Sequence, residues 1–249
     1  MKRIFAALFI ALGALAASAQ NDVEELRVLS YNTHNAIGMD DSLSYERIGQ
    51  TIAAIDADLV ALQELDSATV RSSGRVAIEE IARFADMYPI FASAIDWEGG
   101  RYGIGMLTRQ KPLNTYKIAL PGADEARTML VAEFEEFVFA CTHLSLNEAD
   151  RMASVPLILD EVKKTQKPFI IAGDFNSAPT SPVMEALSEK FIIVTDVNEP
   201  TFPADKPFDT IDYIAIANSD FEVDATEVKT GNTASDHLPV VADIRLVRW

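Results

Sequence analysis

The segment Pro168–Asn176 has the sequence PFIIAGDFN and joins an apolar run to a polar end. Pro168–Gly173 has the length and composition of a strand that is buried on both faces. Asp174 and Asn176 follow directly, at the point where this strand ends. Because binding and catalytic groups are commonly carried by loops at one edge of a rigid sheet, the segment predicts a sheet with a functional edge.

Polar residues also mark the ends of other predicted strands. All three histidines of the chain, His34, His143 and His237, lie in or beside such segments. If the final strands run antiparallel to the earlier ones, all these polar ends meet at one edge of the sheet structure. The segments are SYNT at Ser30–Thr33, LQEL at Leu62–Leu65, THLS at Thr142–Ser145, IDYI at Ile211–Ile214 and SDH at Ser235–His237.

Helical and strand patterns are interleaved along the chain. Apolar residues at helical spacing, such as Ile48, Ile52 and Ile55, predict amphipathic helices. A strand-rich middle section separates the units that alternate strand and helix, which favours a mixed α/β sandwich with outer helices over a doubly wound parallel sheet. The predicted helices are Tyr45–Ile55, Val76–Met87, Glu148–Lys164 and Pro182–Leu187, and the proline-rich stretch Asn198–Asp209 is predicted to be a surface loop.

The composition is that of a globular protein, with 49% apolar and 24% charged residues among 249. Acidic residues outnumber basic ones by 38 to 21, which gives a net charge of −17. Nonspecific nucleic-acid binding depends on contacts between basic side chains and phosphates, so this charge disfavours a nucleic-acid partner. Cys141 is the only cysteine and therefore cannot form an intramolecular disulfide.

Residues 1–19 have the pattern of a secretory signal peptide. Lys2 and Arg3 precede an apolar run from Ile4 to Ala17, and Ala17-Ser18-Ala19 matches a cleavage site. The apolar run is shorter than the roughly 20 residues that a membrane-spanning helix needs. We therefore expect cleavage after Ala19, export to the periplasm or the medium, no membrane span, and one domain over residues 21–249.

The polar strand ends restrict the chemistry that this edge can perform. The sequence has no serine nucleophile elbow, no glycine-rich phosphate loop and no HExxH zinc motif. Asn32, Glu64 and Asp236 offer oxygen ligands, which suit Mg²⁺ or Mn²⁺ better than zinc. With such an ion to neutralise phosphoryl oxygens, Asp174 would position an attacking water and His237 would donate to a phosphoryl oxygen. The sequence thus predicts metal-assisted hydrolysis of a phosphoester.

These five segments and GDFN at Gly173–Asn176, taken in order, resemble the endonuclease/exonuclease/phosphatase superfamily. This superfamily includes pancreatic-type deoxyribonucleases, abasic-site endonucleases, inositol polyphosphate 5-phosphatases and neutral sphingomyelinases. The resemblance runs from Leu26 to Val247, and six short motifs in the expected order and strand context are specific although each alone is weak. It implies an α/β fold in which two packed mixed β-sheets are flanked by helices, as a four-layer sandwich.

The resemblance also implies a metal site and a water-orienting pair. Asn32 and Glu64 match the amide and the glutamate of the family's metal site, and Asp236 matches the aspartate that completes it. Asp174 and Asn176 match the pair that orients the nucleophilic water and the phosphate. The catalytic domain is therefore expected to require Mg²⁺ or Mn²⁺.

Two further histidines and an aspartate match the family pattern, and a third histidine departs from it. His237 matches the histidine that contacts the phosphate, and Asp212 matches the aspartate that orients this histidine. His143 matches a histidine of the nuclease and sphingomyelinase branches, which helps to bind the phosphate or to protonate the leaving group. His34 stands where abasic-site endonucleases have an aspartate, which disfavours that branch and a second acidic metal ligand at this position.

Four residues are candidate substrate contacts. Arg127 opens a predicted strand, and in this superfamily an arginine near this place often contacts the edge of the active site. Arg71 lies in a polar loop from which it is expected to reach a substrate phosphate, and His34 and Tyr102 complete the set. The alternative for Arg127 is a surface salt bridge with Glu125, and the alternative for His34 is an exposed loop position.

The sequence leaves the substrate open. The acidic charge favours a small phosphorylated metabolite, a sugar or inositol phosphate, or a phospholipid headgroup over a polyanion. A metal-dependent nuclease for DNA or RNA is the first alternative, because Arg71, Arg101 and Arg127 are compatible with a local basic strip. A catalytically silent binding module of the same fold is the second alternative, and the complete set of competent residues disfavours it. The oligomeric state, the number of metal ions and the choice between monoester and diester stay open.

Overall fold

The computed structural model describes residues 23–247, and the predicted signal peptide lies outside them. The chain forms twelve strands and four α-helices in this range. The helices are α1 Tyr45–Ile55, α2 Ala77–Ala85, α3 Glu148–Val162 and α4 Pro182–Leu187. The strands are β1 Val23–Asn32, β2 Leu59–Ser67, β3 Tyr88–Trp97, β4 Gly100–Thr108, β5 Asn114–Leu120, β6 Arg127–Glu133, β7 Val138–His143, β8 Phe169–Asp174, β9 Ile192–Ile193, β10 Asp212–Ala217, β11 Asp220–Val228 and β12 Val240–Val247.

The strands form two mixed sheets of six strands each. The first sheet has the order β11-β12-β1-β2-β4-β3, and the second has the order β5-β6-β7-β8-β10-β9. Within them, β1 pairs with β2 and β7 pairs with β8 in parallel, whereas β12 is antiparallel to β1 and β10 is antiparallel to β8. The predicted antiparallel direction of the late strands is therefore confirmed, as is the prediction of two mixed sheets.

The two sheets pack face to face through a continuous apolar core. Alternate residues of each strand point into the gap, because side chains of a strand point to opposite faces in turn. Val28 and Leu59 of the first sheet meet Phe139, Ile170 and Ile214 of the second sheet in this core, and all five are buried. The net gain from burying such side chains is about 1.5–3 kcal/mol each, so this layer is a principal source of stability.

The helices cover the outer faces of the sheets, which completes the four-layer sandwich. α1 and α2 pack against the first sheet, and α3 and α4 pack against the second. α1 begins where the Ser44 side chain accepts a hydrogen bond from the Arg47 N–H, and its residues Ile48, Ile52 and Ile55 form the buried face. The predicted bounds of α1 and α4 agree with the structure, and those of α2 and α3 differ by one or two residues at an end.

The stretch Asn198–Asp209 is irregular and mostly at the surface, as predicted, but two of its residues are buried. Thr201 and Ala204 are buried, although Phe208 is exposed. The backbone of this stretch is bonded to the segment before β12, because the Ala204 N–H donates to the Asp236 carbonyl at 2.7 Å. Its proline content gave a correct prediction of an irregular surface segment, and Thr201 and Ala204 can be buried because their backbone groups find partners.

None of the helices between residues 23 and 247 is long and apolar enough to cross a membrane.

The core between the sheets can be tested with Phe139. We expect Phe139→Ala to lower the free energy of unfolding by about 3–5 kcal/mol, because it leaves a cavity in a fully buried position. Urea denaturation measures this change, and Leu113→Ala, at a position that is 69% exposed, is the control. Equal effects of the two substitutions would contradict the assignment of the stabilising core to the gap between the sheets.

Candidate active site

The predicted polar residues meet at one end of the gap between the two sheets. Asn32, His143 and Asp174 are the last residues of β1, β7 and β8. Asp212 is the first residue of β10 and lies opposite Asp174 in the antiparallel pairing. His237 lies in the turn that leads into β12. The structure therefore brings together the residues that the sequence analysis placed at a common edge.

Asn32 connects groups from both sheets through its side chain. Its Nδ2 donates to Oε1 of Glu64 and to Oδ2 of Asp174, both at 3.1 Å, and lies 3.4 Å from Nε2 of His237. Its Oδ1 accepts from the backbone N–H of His34 at 3.1 Å. Because Asn32 is fully buried, these contacts hold the neighbouring groups at fixed positions.

A bulge in β2 places Glu64 at this site. The pairing of β2 with β4 shifts between Leu62 and Leu65, and Glu64 has a φ of 59°. A positive φ is uncommon for a residue with a side chain and often marks a functional position. Burial raises the pKa of Glu64, and the nearby Asp236 carboxylate also raises it, whereas the hydrogen bond from Asn32 opposes this. A cation between the two carboxylates would relieve their repulsion.

Asp174 lies at the centre of the group and is almost fully buried. Its Oδ1 accepts from the backbone N–H of Asn176 at 2.8 Å, and Asn176 in turn donates from Nδ2 to the Leu144 carbonyl at 3.0 Å. Burial raises the pKa of Asp174, and the negative charge of Asp212 raises it further. A carboxylate with a raised pKa is a better proton acceptor at neutral pH, which suits the role of general base.

His237 and Asp212 form a buried pair. Nδ1 of His237 lies 2.9 Å from Oδ2 of Asp212, and Nε2 lies 3.8 Å from Oδ2 of Asp174. Burial alone would lower the pKa of His237, but the carboxylates of Asp212, Asp174 and Asp236 outweigh it and raise the pKa to about 10. The imidazole is therefore protonated at neutral pH, and Nε2 can donate to an anionic oxygen.

His143 approaches Asp174 from β7, with Nε2 at 3.5 Å from Oδ2. Burial lowers the pKa of His143, and the positive charges of Arg127 and His237 lower it further. The two histidines of the site thus have opposite protonation states at neutral pH: His237 is cationic and His143 is neutral. Opposite shifts of neighbouring titratable groups are a common feature of acid–base catalysis.

Asn32, Glu64 and Asp236 fit the donor set of a hard divalent cation. Glu64 and Asp236 supply two carboxylates, and hard cations prefer oxygen ligands. The amide oxygen of Asn32 accepts from the His34 N–H and has a second lone pair for a cation, whereas its Nδ2 faces Glu64. Oδ1 of Asp236 lies 3.3 Å from the Ser235 hydroxyl oxygen and 3.8 Å from Nδ1 of His34. Its effect on the pKa of Glu64 shows that these two carboxylates are close enough to interact.

A second group of potential ligands consists of Asp174, Asp212 and His237, whose ligand atoms lie within 4.8 Å of one another. Internal bonds explain this short separation, because His237 is hydrogen-bonded to Asp212 and positioned beside Asp174. A protonated imidazole does not bind a metal. The first group is therefore the better candidate for the cation, and the second group is better suited to proton transfer and charge stabilisation.

Arg127 borders the site. From the sequence it was interpreted either as a substrate contact or as a partner of Glu125 in a surface salt bridge. It forms the predicted ion pair with Glu125, but its side chain is buried rather than on the surface. Its effect on the pKa of His143 places the guanidinium near that imidazole. The Nε of Arg127 is buried and has no hydrogen-bond partner among the described residues. Arg127 thus remains a candidate substrate contact, with its charge already balanced by Glu125.

Arg71 is more constrained than the sequence indicated. Its Nε and Nη2 bind the two carboxylate oxygens of buried Asp66 at 2.8 and 3.0 Å, and Nη2 also donates to Oδ1 of Asn35 at 2.7 Å. The guanidinium lies 5.8 Å from the centre of the Tyr102 ring. Burial raises the pKa of Tyr102, and the charge of Glu64 raises it further, which places this phenol near the candidate metal site.

Two groups that hold the site together were not predicted from the sequence. Thr201 and Phe202 contact the Asp212–His237 pair from the stretch predicted as a surface loop. Ser235 donates from Oγ to the Asn32 carbonyl at 2.7 Å and so ties the SDH segment to the end of β1. The position of Ser235 in a recognised motif was a usable signal, whereas no local pattern distinguishes Thr201.

The sandwich of two mixed sheets, with carboxylates, an amide and imidazoles converging at one end, defines a class of phosphoester-hydrolase folds. The model of the endonuclease/exonuclease/phosphatase family matches residues 29–237, and the chain belongs to this family. Members of the family are hydrolases that act on phosphoester bonds. The resemblance noted from the sequence is thereby confirmed.

The chain is also similar to individual proteins and solved structures. The chain is 26% identical to YbhP, an uncharacterised protein of Escherichia coli K12, over 245 residues that cover 88% of this chain and 96% of YbhP. A family member from Bacteroides thetaiotaomicron has a TM-score of 0.77 at 21% identity, with 92% and 100% of the two chains covered. A mannosyl-6-phosphatase of the same species has a TM-score of 0.70 at 20% identity, with 88% and 99% covered. The two structural likenesses support the fold.

His237 and Asp174 provide a test of the site. We expect His237→Ala and Asp174→Ala each to lower kcat for bis(4-nitrophenyl) phosphate by about 10²–10³-fold, because each removes a group aimed at the reacting atoms. Asp212→Asn should have a smaller effect, since Asp212 orients His237 from behind. Rates are compared with melting temperatures for each variant. Wild-type kcat in both alanine variants, or loss of activity through unfolding alone, would show that the site lies elsewhere.

Proposed function

We propose that this protein is an exported, divalent-metal-dependent hydrolase that cleaves the phosphoester bond of a small phosphorylated metabolite. One observation carries the proposal: the cationic imidazole of His237 and the neutral imidazole of His143 both lie within 3.8 Å of Asp174, a buried carboxylate with a raised pKa. This combination offers a proton acceptor and donors to an anionic oxygen in one place. Phosphoryl transfer needs both, together with precise positioning.

Each residue around Asp174 has its own chemical role in this hydrolysis. Asp174 accepts the proton of the attacking water, and its own Oδ1 is held by the Asn176 N–H. His237 donates from Nε2 to a phosphoryl oxygen as negative charge accumulates there, and Asp212 keeps its ring in the correct orientation. His143, as a neutral imidazole beside Asp174, donates a hydrogen bond from its N–H to the phosphate, and in this protonation state it does not act as the acid for the leaving oxygen.

Asn32, Glu64 and Asp236 would hold Mg²⁺ or Mn²⁺. When bound, such an ion neutralises phosphoryl oxygens and stabilises the charge on the leaving oxygen. The raised pKa of Glu64 supports this arrangement, because two neighbouring carboxylates with too little positive charge between them resist ionisation. The amide of Asn32 links this group to Asp174, so the ion and the base would act on the same phosphate.

Charge supports a small substrate over a nucleic acid. Arg71 is paired with Asp66, and Arg127 is paired with Glu125, so neither contributes a free positive charge to a groove. The net charge of the chain is −17, which repels a polyanion. A sugar phosphate fits these conditions, and a mannosyl-6-phosphatase has the same fold. Inositol phosphates and phospholipid headgroups belong to the same substrate range.

A substrate panel tests the function. Purified protein is assayed with Mg²⁺, Mn²⁺ or EDTA against sugar phosphates, inositol phosphates, nucleotides, choline phospholipids, RNA and plasmid DNA. We expect turnover of a small phosphate ester with either metal ion and no turnover in EDTA, because Asn32, Glu64 and Asp236 form an oxygen-ligand set.

Each result of the panel decides between the alternatives. Full activity in EDTA would overturn the metal requirement. Cleavage of DNA or RNA at higher efficiency than any small ester would favour the nuclease. A folded protein that binds phosphate esters without turning any of them over would favour the silent binding module. The Asp174→Ala variant, prepared identically, controls for a contaminating phosphatase.

Export is tested separately. We expect the protein from its native host to begin at Gln20 and to be recovered outside the cytoplasm, because Lys2, Arg3, the apolar run and Ala17-Ser18-Ala19 form a signal peptide. N-terminal sequencing of the purified protein measures this, with a Lys2→Glu, Arg3→Glu double variant to slow export. A cytoplasmic protein with Met1 intact would contradict export and would leave the catalytic proposal unchanged.

A further inference from the structure

Thr201 makes a buried hydrogen bond to the carboxylate behind His237. Its Oγ1 donates to Oδ2 of Asp212 at 2.6 Å, and the same oxygen lies 2.9 Å from Nδ1 of His237. Thr201 is 1% exposed, so no bulk water competes for this bond. One carboxylate oxygen therefore joins a threonine hydroxyl to the imidazole that faces the reacting phosphate.

The hydroxyl of Thr201 has only one direction in which to donate. Its oxygen accepts from the backbone N–H groups of Ile211 at 3.3 Å and Asp212 at 3.4 Å, which leaves its proton for the carboxylate. The other carboxylate oxygen of Asp212, Oδ1, is buried and has no partner among the described residues. Oδ2 of Asp212 thus takes part in two side-chain hydrogen bonds, one with Thr201 and one with His237.

The surrounding stretch is fixed on both sides of His237. The Leu238 N–H donates to the Thr201 carbonyl at 2.8 Å, and the Ala204 N–H donates to the Asp236 carbonyl at 2.7 Å. The ring of Phe202 lies against the imidazole of His237, with 4.6 Å between the ring centres. These contacts make the stretch a support for the imidazole.

From this arrangement we infer that Thr201 is a positioning residue, which fixes Asp212 through its hydroxyl and thereby sets the orientation of His237. The inference rests on the proposed function, since it assigns Thr201 to the same reaction. Thr201 itself touches neither the substrate nor the reacting atoms. Its contribution should therefore be seen in the rate of the chemical step and not in substrate binding.

Two substitutions separate the hydroxyl from the shape of the side chain. Thr201→Val keeps the volume and removes the donor, whereas Thr201→Ser keeps the donor and removes a methyl group. Thr210→Val is the matched control, because Thr210 lies in the same region and its hydroxyl bonds only to the Glu199 carbonyl. All three proteins are assayed with Mg²⁺ on bis(4-nitrophenyl) phosphate and 4-nitrophenyl phosphate, and their melting temperatures are measured.

We expect Thr201→Val to lower kcat by about 10- to 100-fold, as is typical when a group that orients a functional residue is lost, with KM nearly unchanged. Thr201→Ser should recover most of this loss, and Thr210→Val should behave like the wild type. In an Asp212→Ala background, adding Thr201→Val should cost little more, because its effect passes through Asp212.

A spectroscopic measurement tests the inference without turnover. The Nδ1 proton of His237 is observed by NMR in histidine-labelled protein and assigned with His237→Ala. We expect its resonance to shift or to broaden in Thr201→Val and to return in Thr201→Ser. This readout still decides the inference if none of the esters is hydrolysed by the wild type, an outcome that bears on the proposed function alone.

Three results would overturn the positioning role. The first is an unchanged resonance together with wild-type kcat in a folded Thr201→Val protein. The second is a kcat loss that Thr201→Ser does not recover, which would assign the effect to packing. The third is full additivity with Asp212→Ala, which would place the action of Thr201 outside the Asp212–His237 pair.

Discussion

Two sheets that pack face to face require an apolar side chain at every second position of each strand. The residues of the site occupy the last of these inward-facing positions, at one end of the strands. The spacing of two residues is set by the geometry of the strand, so the last inward-facing position of each strand is fixed once its core residues are in place. At the site these positions become polar. The successions are Val28, Ser30 and Asn32 on β1; Phe139, Cys141 and His143 on β7; Ile170, Ala172 and Asp174 on β8; and Ile216, Ile214 and Asp212 on β10.

This origin explains why the charges of the site are buried. A carboxylate at the end of the core lies among apolar neighbours and would be costly to ionise without partners. The structure supplies them: Asn32 donates to Asp174, and His237 pairs with Asp212. The raised pKa of Asp174 and the opposite shifts of His143 and His237 follow from the same burial combined with different neighbours. Fold and chemistry therefore depend on one packing arrangement.

Sequence patterns predicted the part of the structure that is periodic. Strands, helices and the polar residues at strand ends all follow from spacings of two and about 3.6 residues, and the late strands run in the predicted direction. Thr201 and Phe202 were missed because they lie in an irregular segment, whose contacts span 11 residues to Asp212 and more to His237. The pairing of Arg71 with Asp66 and Asn35 was also missed, since it depends on the conformations of two loops.

Charge compensation then limits which groups can respond to a phosphate. The guanidinium groups of Arg71 and Arg127 are each neutralised by a neighbouring carboxylate, so they contribute direction and hydrogen bonds more than net charge. His237 differs in its hydrogen bonding, because Nδ1 is bonded to Asp212 whereas Nε2 lies 3.4 Å from Nδ2 of Asn32 and 3.8 Å from Asp174, so the Nε2 proton is free to bond to an anionic oxygen. A hydrogen-bond donor for one phosphoryl group is therefore available at His237, and the cation expected on Glu64 and Asp236 would supply positive charge. A site of this kind is matched to a single phosphate, whereas a substrate with many phosphates would need compensating charges, and those of Arg71 and Arg127 are already used by Asp66 and Glu125.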